Sequence, residues 1–123
     1  MPPDELDQAR LLDMLQHARG VVAALSRGSR EKFDSDEDFR LALERRIEII
    51  GEAARGISKE FQTAHADIPW RKIVTQRHIL AHDYGILNYD LLWKVVAVHV
   101  PELVGQLELL LPGDVGAQGA CIP

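Results

Sequence analysis

The sequence predicts an all-α protein built as an up-and-down bundle of four to five helices. Apolar residues recur every three or four positions along most of the chain, the spacing of one face of an α-helix. Short polar connectors containing glycine or proline separate these stripes, as in bundles of antiparallel helices. With 123 residues, the chain is long enough for one core. We therefore expect a single domain over residues 1–111 and a flexible, glycine- and proline-rich tail over 112–123.

The first predicted helix runs from about Asp4 to Leu25 and ends in the turn at 26–29. Acidic residues crowd its first turn, where the helix dipole favours negative charge (Asp4, Glu5, Asp7). The second predicted helix begins at a capping box formed by Ser35 and Asp38 and continues to about residue 60. The small residues Gly51 and Ala54 on this helix would let another helix approach closely. Residues 61–66 are expected to form a connector.

The third predicted helix starts at Asp67, with Pro69 in its first turn, and stops at Gly85. Asn88 is expected to cap the fourth helix. Pro101 interrupts that helix, because proline lacks the amide donor that a helix interior needs, so a kink or a restart is predicted there. The β-branched run at 95–100 would suit a strand by itself, but its surroundings are helical.

Composition and charge exclude several classes of protein. The chain is 46% apolar and 27% charged, which is typical of a globular protein. It has no run of ~18 apolar residues and no apolar segment near its acidic start, so neither a membrane span nor a secretory signal is expected. The lone Cys121 has no partner for a disulfide within the chain, and the expected location is the cytoplasm. The net charge is −5, but residues 40–77 carry eight basic and five acidic side chains, a local net charge of +3.

Five ionisable or polar groups are concentrated at the end of the third predicted helix: Arg77, His78, His82, Asp83 and Tyr84. On an ideal helix Arg77 and Tyr84 share a face, whereas Arg77 and His82 diverge unless the last turn distorts, as the following glycine would permit. A histidine that moves the proton of a ribose 2′-hydroxyl and an arginine that holds the phosphate suffice for metal-free phosphodiester cleavage. Walker A, G-x-G-x-x-G, H-E-x-x-H and paired-cysteine motifs do not occur.

The segment Arg77-x4-His82-x-Tyr84 resembles the R-x4-H-x-Y motif of the HepT-like (DUF86) branch of HEPN-domain proteins. Residues 46–54 are similar to that family's second-helix signature, and residues 68–73 to its entry into the motif helix. Residues 92–96 and 101–103 resemble its last helix, so the similarity covers roughly residues 5–111.

The resemblance implies a homodimeric HEPN-like bundle that acts as a metal-independent endoribonuclease toxin, without cofactor or membrane partner. Its RNA substrate would be cut to leave 2′,3′-cyclic phosphate ends at a cleft shared by two copies, with Arg77 and His82 on the catalytic positions. Tyr84 falls on the tyrosine that a partner nucleotidyltransferase (MNT) antitoxin is thought to modify with AMP. The family often has asparagine where this chain has His78, which could serve as a second acid or base. Asp83 and Glu52 are supporting candidates.

The same residues also suit a binding module or a metal site. A HEPN bundle could bind a nucleotide or a protein partner without catalysis, which would suit the acidic overall charge. His78 and His82 also have the spacing of a helical metal pair, to which Asp83, His65 or His99 would add a ligand, although no third ligand follows from local spacing. Glu52 would either pair with cleft arginines or face solvent. Arg45 and Arg46 would either contact RNA or flank the apolar stripe.

Overall fold

The computed structural model describes residues 4–75 and 89–111, which form a helical bundle without a strand. The prediction of an all-α fold is confirmed. In chain order the elements are α1 (Glu5–Ser26), α2 (Arg30–Ser35), α3 (Glu37–Arg55), α4 (Lys59–Ala64), α5 (described over 70–75), α6 (Tyr89–Lys94), a π-helical turn (Val95–His99) and α7 (Val100–Leu110). The predicted stop at Gly85, the cap at Asn88 and the tail at 112–123 lie outside the described residues. Among the described helices, none has the length and apolarity needed to cross a bilayer.

The core is organised around α1, which packs mainly against α3 and then against α7. The stripe predicted for the first helix is only partly the buried one: of Leu6, Ala9, Leu12, Leu15, Ala18, Val22 and Leu25, only Leu15 and Ala18 are buried. The buried apolar face of α1 consists of Leu11, Met14, Leu15, Ala18 and Val21, and α3 contributes the matching aliphatic stripe of Leu43, Ile47, Ile50 and Ala54. Gly51 is buried beside them, as expected of small residues where helices approach closely. The helical periodicity of the sequence therefore predicted the buried face of α3 correctly, whereas the face predicted for α1 was wrong by about one residue, since Leu11 and Val21 are buried where Leu12 and Val22 were expected.

Two short helices replace segments that were predicted as connectors or as parts of longer helices. Helix α3 is capped by Asp36, whose carboxylate accepts a hydrogen bond from the Phe39 amide at 3.2 Å, so the predicted cap at Ser35 is wrong by one residue. The Ser35 hydroxyl instead donates to the Glu31 carbonyl within α2 at 2.8 Å. Helix α3 ends at Arg55, not near residue 60, because Ser58 caps a separate helix, α4.

Asp7 has a role that its position in the first helical turn did not predict. It is the buried charged residue of the described chain, with an exposed fraction of 4%. Its carboxylate accepts hydrogen bonds from the Ser58 amide at 2.8 Å and from the Ser58 hydroxyl at 2.6 Å. Such charge-assisted bonds compensate the cost of burying a carboxylate. Asp7 therefore joins the start of α1 to the start of α4.

The predicted interruption at Pro101 is present as a change of helix type. Residues Val95–His99 form a π-helical turn, and α7 begins at Val100 with the proline in its first turn. Proline at this position has no amide to donate and its ring crowds the carbonyl of the preceding turn, so a wider turn relieves the conflict. The β-branched run is accordingly helical.

Candidate functional site

The motif residues Arg77, His78, His82, Asp83 and Tyr84 lie outside the described residues, so their assignment as site residues stays a prediction. Glu52 is described and is exposed on α3, on the side away from the buried stripe. What the structure does describe is the pair of elements that precede and follow the motif in the chain. These are α5, which is helical over 70–75, and α6, which begins at Tyr89.

Helix α5 is anchored to the core at its start. Trp70 is 6% exposed and Ile73 is 8% exposed, so the first described turn is held by buried side chains. The indole nitrogen of Trp70 donates to the His65 carbonyl at 3.0 Å. The Ile73 amide donates to the Pro69 carbonyl at 3.0 Å, which places Pro69 just before the helix rather than in its first turn. Trp70 is thus a core residue, and it fixes the chain seven residues before Arg77.

The start of α6 is held by two arginines from α2 and α3. Arg30 Nη2 donates to Asp90 Oδ1 at 2.6 Å, and its Nε donates to Asp34 Oδ1 at 2.9 Å. The hydrogen bonds with Asp90 and then Asp34 raise the pKa of Arg30 above its already high usual value. The guanidinium of Arg40 lies 4.3 Å from the centroid of the Tyr89 ring, a cation–π distance. We call Arg30 and Arg40 together the α6 anchor.

The α6 anchor rests on an aromatic cluster centred on Phe33. The Phe33 ring is fully buried and meets Trp93 edge-on at a centroid distance of 5.3 Å and Tyr89 at 6.3 Å. Arg40 Nη1 also donates to the Phe33 carbonyl at 2.8 Å. Sequence reasoning did not find this arrangement. The only local signal was the i,i+4 spacing of Arg30 and Asp34, because Asp90 is 60 residues away from Arg30.

The two adjacent arginines of α3 make contacts within the fold. Arg45 Nη1 donates to Glu48 Oε2 at 3.1 Å, and Arg46 Nη1 lies 3.2 Å from His17 Nδ1. Both therefore flank the apolar stripe of α3, and a contact of either with RNA stays a prediction. Nearby, burial raises the pKa of Glu44; the charge of Glu48 adds to this effect and that of Arg40 opposes it.

His17 should make the stability of the fold sensitive to pH. Burial, and then the positive charge of Arg46, lower its pKa from the usual 6.5, with Arg45 acting in the same direction and Asp13 against it. The unfolded chain therefore takes up a proton at higher pH than the folded chain does. The contribution of neutral His17 to the free energy of unfolding is therefore complete above pH 6.5, and it is lost as the pH falls toward the pKa of His17 in the folded chain.

We expect the free energy of unfolding to fall less between about pH 7 and about pH 5 in His17→Gln than in wild type, as measured by urea titration at each pH. Arg46→Met should reduce this fall too, because it removes the charge that opposes protonation of the imidazole. An unchanged fall in His17→Gln would contradict the assignment.

The metal alternative gains no third ligand from the described part of the chain. Within residues 4–75 and 89–111, no three histidine, cysteine or acidic side chains cluster as a metal site would require. His65 packs on Phe61 with ring centroids 4.4 Å apart, and His99 is exposed on the π-helical turn. His78, His82 and Asp83 lie outside the described residues.

Residues 11–110 match the model of a family described as ribonuclease HepT-like. A protein of Methanocaldococcus jannaschii named "Putative RNase MJ1380" is 35% identical over 103 residues, which cover 84% of this chain and 94% of the relative. "Putative RNase TTE0752" of Caldanaerobacter subterraneus is 34% identical over a region that covers 80% of this chain and 88% of that relative. "Probable ribonuclease HepT" of Thermococcus cleftensis is 39% identical over a region that covers 65% of this chain and 73% of that relative. No solved structure matches the chain.

Proposed function

We propose that this chain, which belongs to the ribonuclease HepT-like family, is a metal-independent endoribonuclease. One observation carries the proposal: the family match spans residues 11–110 and includes the whole Arg77-x4-His82-x-Tyr84 segment. The ribonuclease names of the relatives from Methanocaldococcus jannaschii and Thermococcus cleftensis support it. The described structure contributes two anchored elements, α5 and α6, on either side of that segment in the chain.

The proposed reaction is an internal transesterification of RNA. The His82 imidazole removes the proton of a ribose 2′-hydroxyl, and the resulting oxygen attacks the adjacent phosphorus. The P–O5′ bond breaks, leaving a 2′,3′-cyclic phosphate on one fragment and a 5′-hydroxyl on the other once the leaving oxygen is protonated. Arg77 stabilises the charge that builds on the phosphoryl oxygens. Because a base and a guanidinium supply these functions, the step needs no metal ion.

A homodimer would complete this apparatus. Each chain has one such motif, whereas the reaction uses a base and an acid, and a cleft on a two-fold axis would contain two copies of Arg77 and His82. His78 is a second candidate for the acid. We expect light scattering at micromolar concentration to give the mass of a dimer. A monomer under these conditions would argue against a shared site.

The regulatory part of the proposal concerns Tyr84. We propose that the chain is a toxin whose nucleotidyltransferase antitoxin transfers AMP from ATP to the Tyr84 hydroxyl, which loses its proton as pyrophosphate leaves. Addition of AMP puts a bulky anionic group two residues from His82, where it would repel the RNA phosphate. Intact-mass measurement of the protein co-expressed with a neighbouring nucleotidyltransferase would show the mass of one or more AMP units, and Tyr84→Phe should abolish that addition.

The test of the central proposal is cleavage of an end-labelled single-stranded RNA in EDTA. We expect cleavage that resists the chelator, with fragments that end in a 2′,3′-cyclic phosphate. Cleavage that appears only after a divalent cation is added would contradict the metal-independent mechanism.

A second candidate function is a non-catalytic module that binds a nucleotide or a protein partner. The observation in its favour is the net charge of −5, which should repel RNA away from the locally basic segment. In that case Arg77→Ala would weaken ligand binding, while no RNA would be turned over by unmodified protein.

A further inference from the structure

A cavity of about 350 Å³ lies between α3, the start of α5, the π-helical turn and α7. Its size is within the range of small-molecule sites. Its floor is aliphatic, and its rim is polar except for Pro69 (floor: Ile47, Ile50, Ile73, Val95, Val100 and Leu103; rim: Asp67, Pro69, Lys72, His99, Glu102 and Gln106). We call it the α5–α7 cavity. The reaction proposed above uses none of these residues.

The walls of the α5–α7 cavity are held in place by hydrogen bonds at its rim and beside it. Gln106 of α7 donates to the Asp67 carbonyl at 3.2 Å, which ties the segment before α5 to α7 across the rim. The Trp70 indole bond to the His65 carbonyl fixes the same segment from its other end. The π-helical turn, which accommodates Pro101, contributes Val95 and His99 to the lining. The cavity is thus part of the folded frame and does not depend on a bound ligand to form.

The lining combines three chemical features. Closely packed aliphatic side chains on the floor suit the faces of a flat, uncharged ring. The exposed carboxylates of Asp67 and Glu102 accept hydrogen bonds and therefore suit ring or exocyclic N–H donors. The exposed ammonium of Lys72 suits an anion attached to that ring. A nucleobase with its phosphate has all three features, whereas a fatty acid has no N–H donors for the two carboxylates.

We propose that the α5–α7 cavity binds one unpaired base of an RNA strand, with the adjoining phosphate toward Lys72. This inference rests on the proposed ribonuclease function and deepens it, because it gives that activity a sequence preference. Single-stranded RNA is commonly recognised through bases that leave the stack and enter protein pockets. Lys72 precedes Arg77 by five residues, so the cavity and the proposed catalytic arginine belong to neighbouring parts of one chain segment.

The first test measures binding without catalysis. The isotope-labelled protein is titrated with each of the four ribonucleoside 5′-monophosphates and, separately, with ribose 5-phosphate. We expect saturable NMR shifts at Ile73, Val100 and Leu103 with at least one nucleotide and none with ribose 5-phosphate. Lys72→Ala should weaken this binding several-fold, whereas Lys59→Ala on α4 should not. If none of the four nucleotides gives saturable shifts, the proposal is overturned. It is also overturned if the signals of these residues shift when the protein alone is diluted, because the cavity would then be covered by a second copy of the chain.

The second test separates this proposal from the ribonuclease proposal. Cut sites in a random single-stranded RNA pool are sequenced for wild type, Glu102→Gln and the surface control Glu60→Gln. The amide can donate as well as accept, so Glu102→Gln should change the base preference near the cut by about ten-fold, with the control unchanged. If wild type and Glu102→Gln both cleave RNA with the same base preference near the cut, the cavity proposal is overturned, whereas the ribonuclease proposal stands. If wild type cleaves no RNA, the ribonuclease proposal fails, and the titration alone decides whether the cavity binds nucleotides.

Discussion

Replacing His82 by alanine is expected to lower the rate of RNA cleavage by about 10²–10⁴-fold, the contribution of a general base. The variant retains Arg77, so it should still bind RNA, and the loss should appear in the rate of the chemical step more than in affinity. The measurement is a single-turnover time course on labelled RNA in EDTA, with wild type run in parallel. A variant that cleaves as fast as wild type would remove His82 from the mechanism.

The matched control for His82→Ala is His65→Ala. His65 lies on the turn after α4 and packs on Phe61, and no role in catalysis is proposed for it. Equal helical circular dichroism of both variants would show that the fold is retained. If wild type itself is inactive, its intact mass distinguishes two cases. Added AMP units would indicate a toxin already modified at Tyr84, and an unmodified mass would favour the binding module.

Replacing Phe33 by alanine is expected to destabilise the fold by about 3–5 kcal/mol, the range for removing a buried aromatic side chain. Phe33 is fully buried and makes edge-on contacts with Trp93 and Tyr89, so its loss leaves a cavity beneath α6. The midpoint of urea unfolding, with the slope unchanged, measures this loss of unfolding free energy. Helix α2 has six residues and relies on this packing, because so short a helix is not stable alone.

The control for Phe33→Ala is Leu109→Ala on α7. Leu109 is 87% exposed, so its truncation should change stability by less than about 0.5 kcal/mol. Phe33→Leu should fall between the two, since leucine refills part of the space. A Phe33→Ala variant as stable as Leu109→Ala would show that the aromatic cluster does not hold α2 and α6 together.

Element boundaries show where prediction from sequence reaches its limit. The stripe on α3 was predicted correctly, because helical periodicity is a property of neighbouring residues. The cap was not, because Ser35 and Asp36 are both good capping residues, and Ser35 belongs to the last turn of α2, a helix that the sequence pattern did not indicate. Likewise, the apolar pattern favoured an uninterrupted helix to about residue 60, whereas α3 ends at Arg55 and Ser58 caps α4 and also bonds to Asp7, which is 51 residues away.

The sequence by itself determined the all-α class, the main helices, the interruption at Pro101 and the family, because each depends on local periodicity, one residue's covalent chemistry or a motif of fixed spacing. Only the tertiary structure decided that Asp7 is buried against Ser58, 51 residues away, and that Arg30 holds Asp90, 60 residues away. It alone also revealed the α5–α7 cavity, whose lining comes from separate parts of the chain. Such contacts leave no periodic signal, since each depends on how the helices pack and not on the residues beside it in the chain.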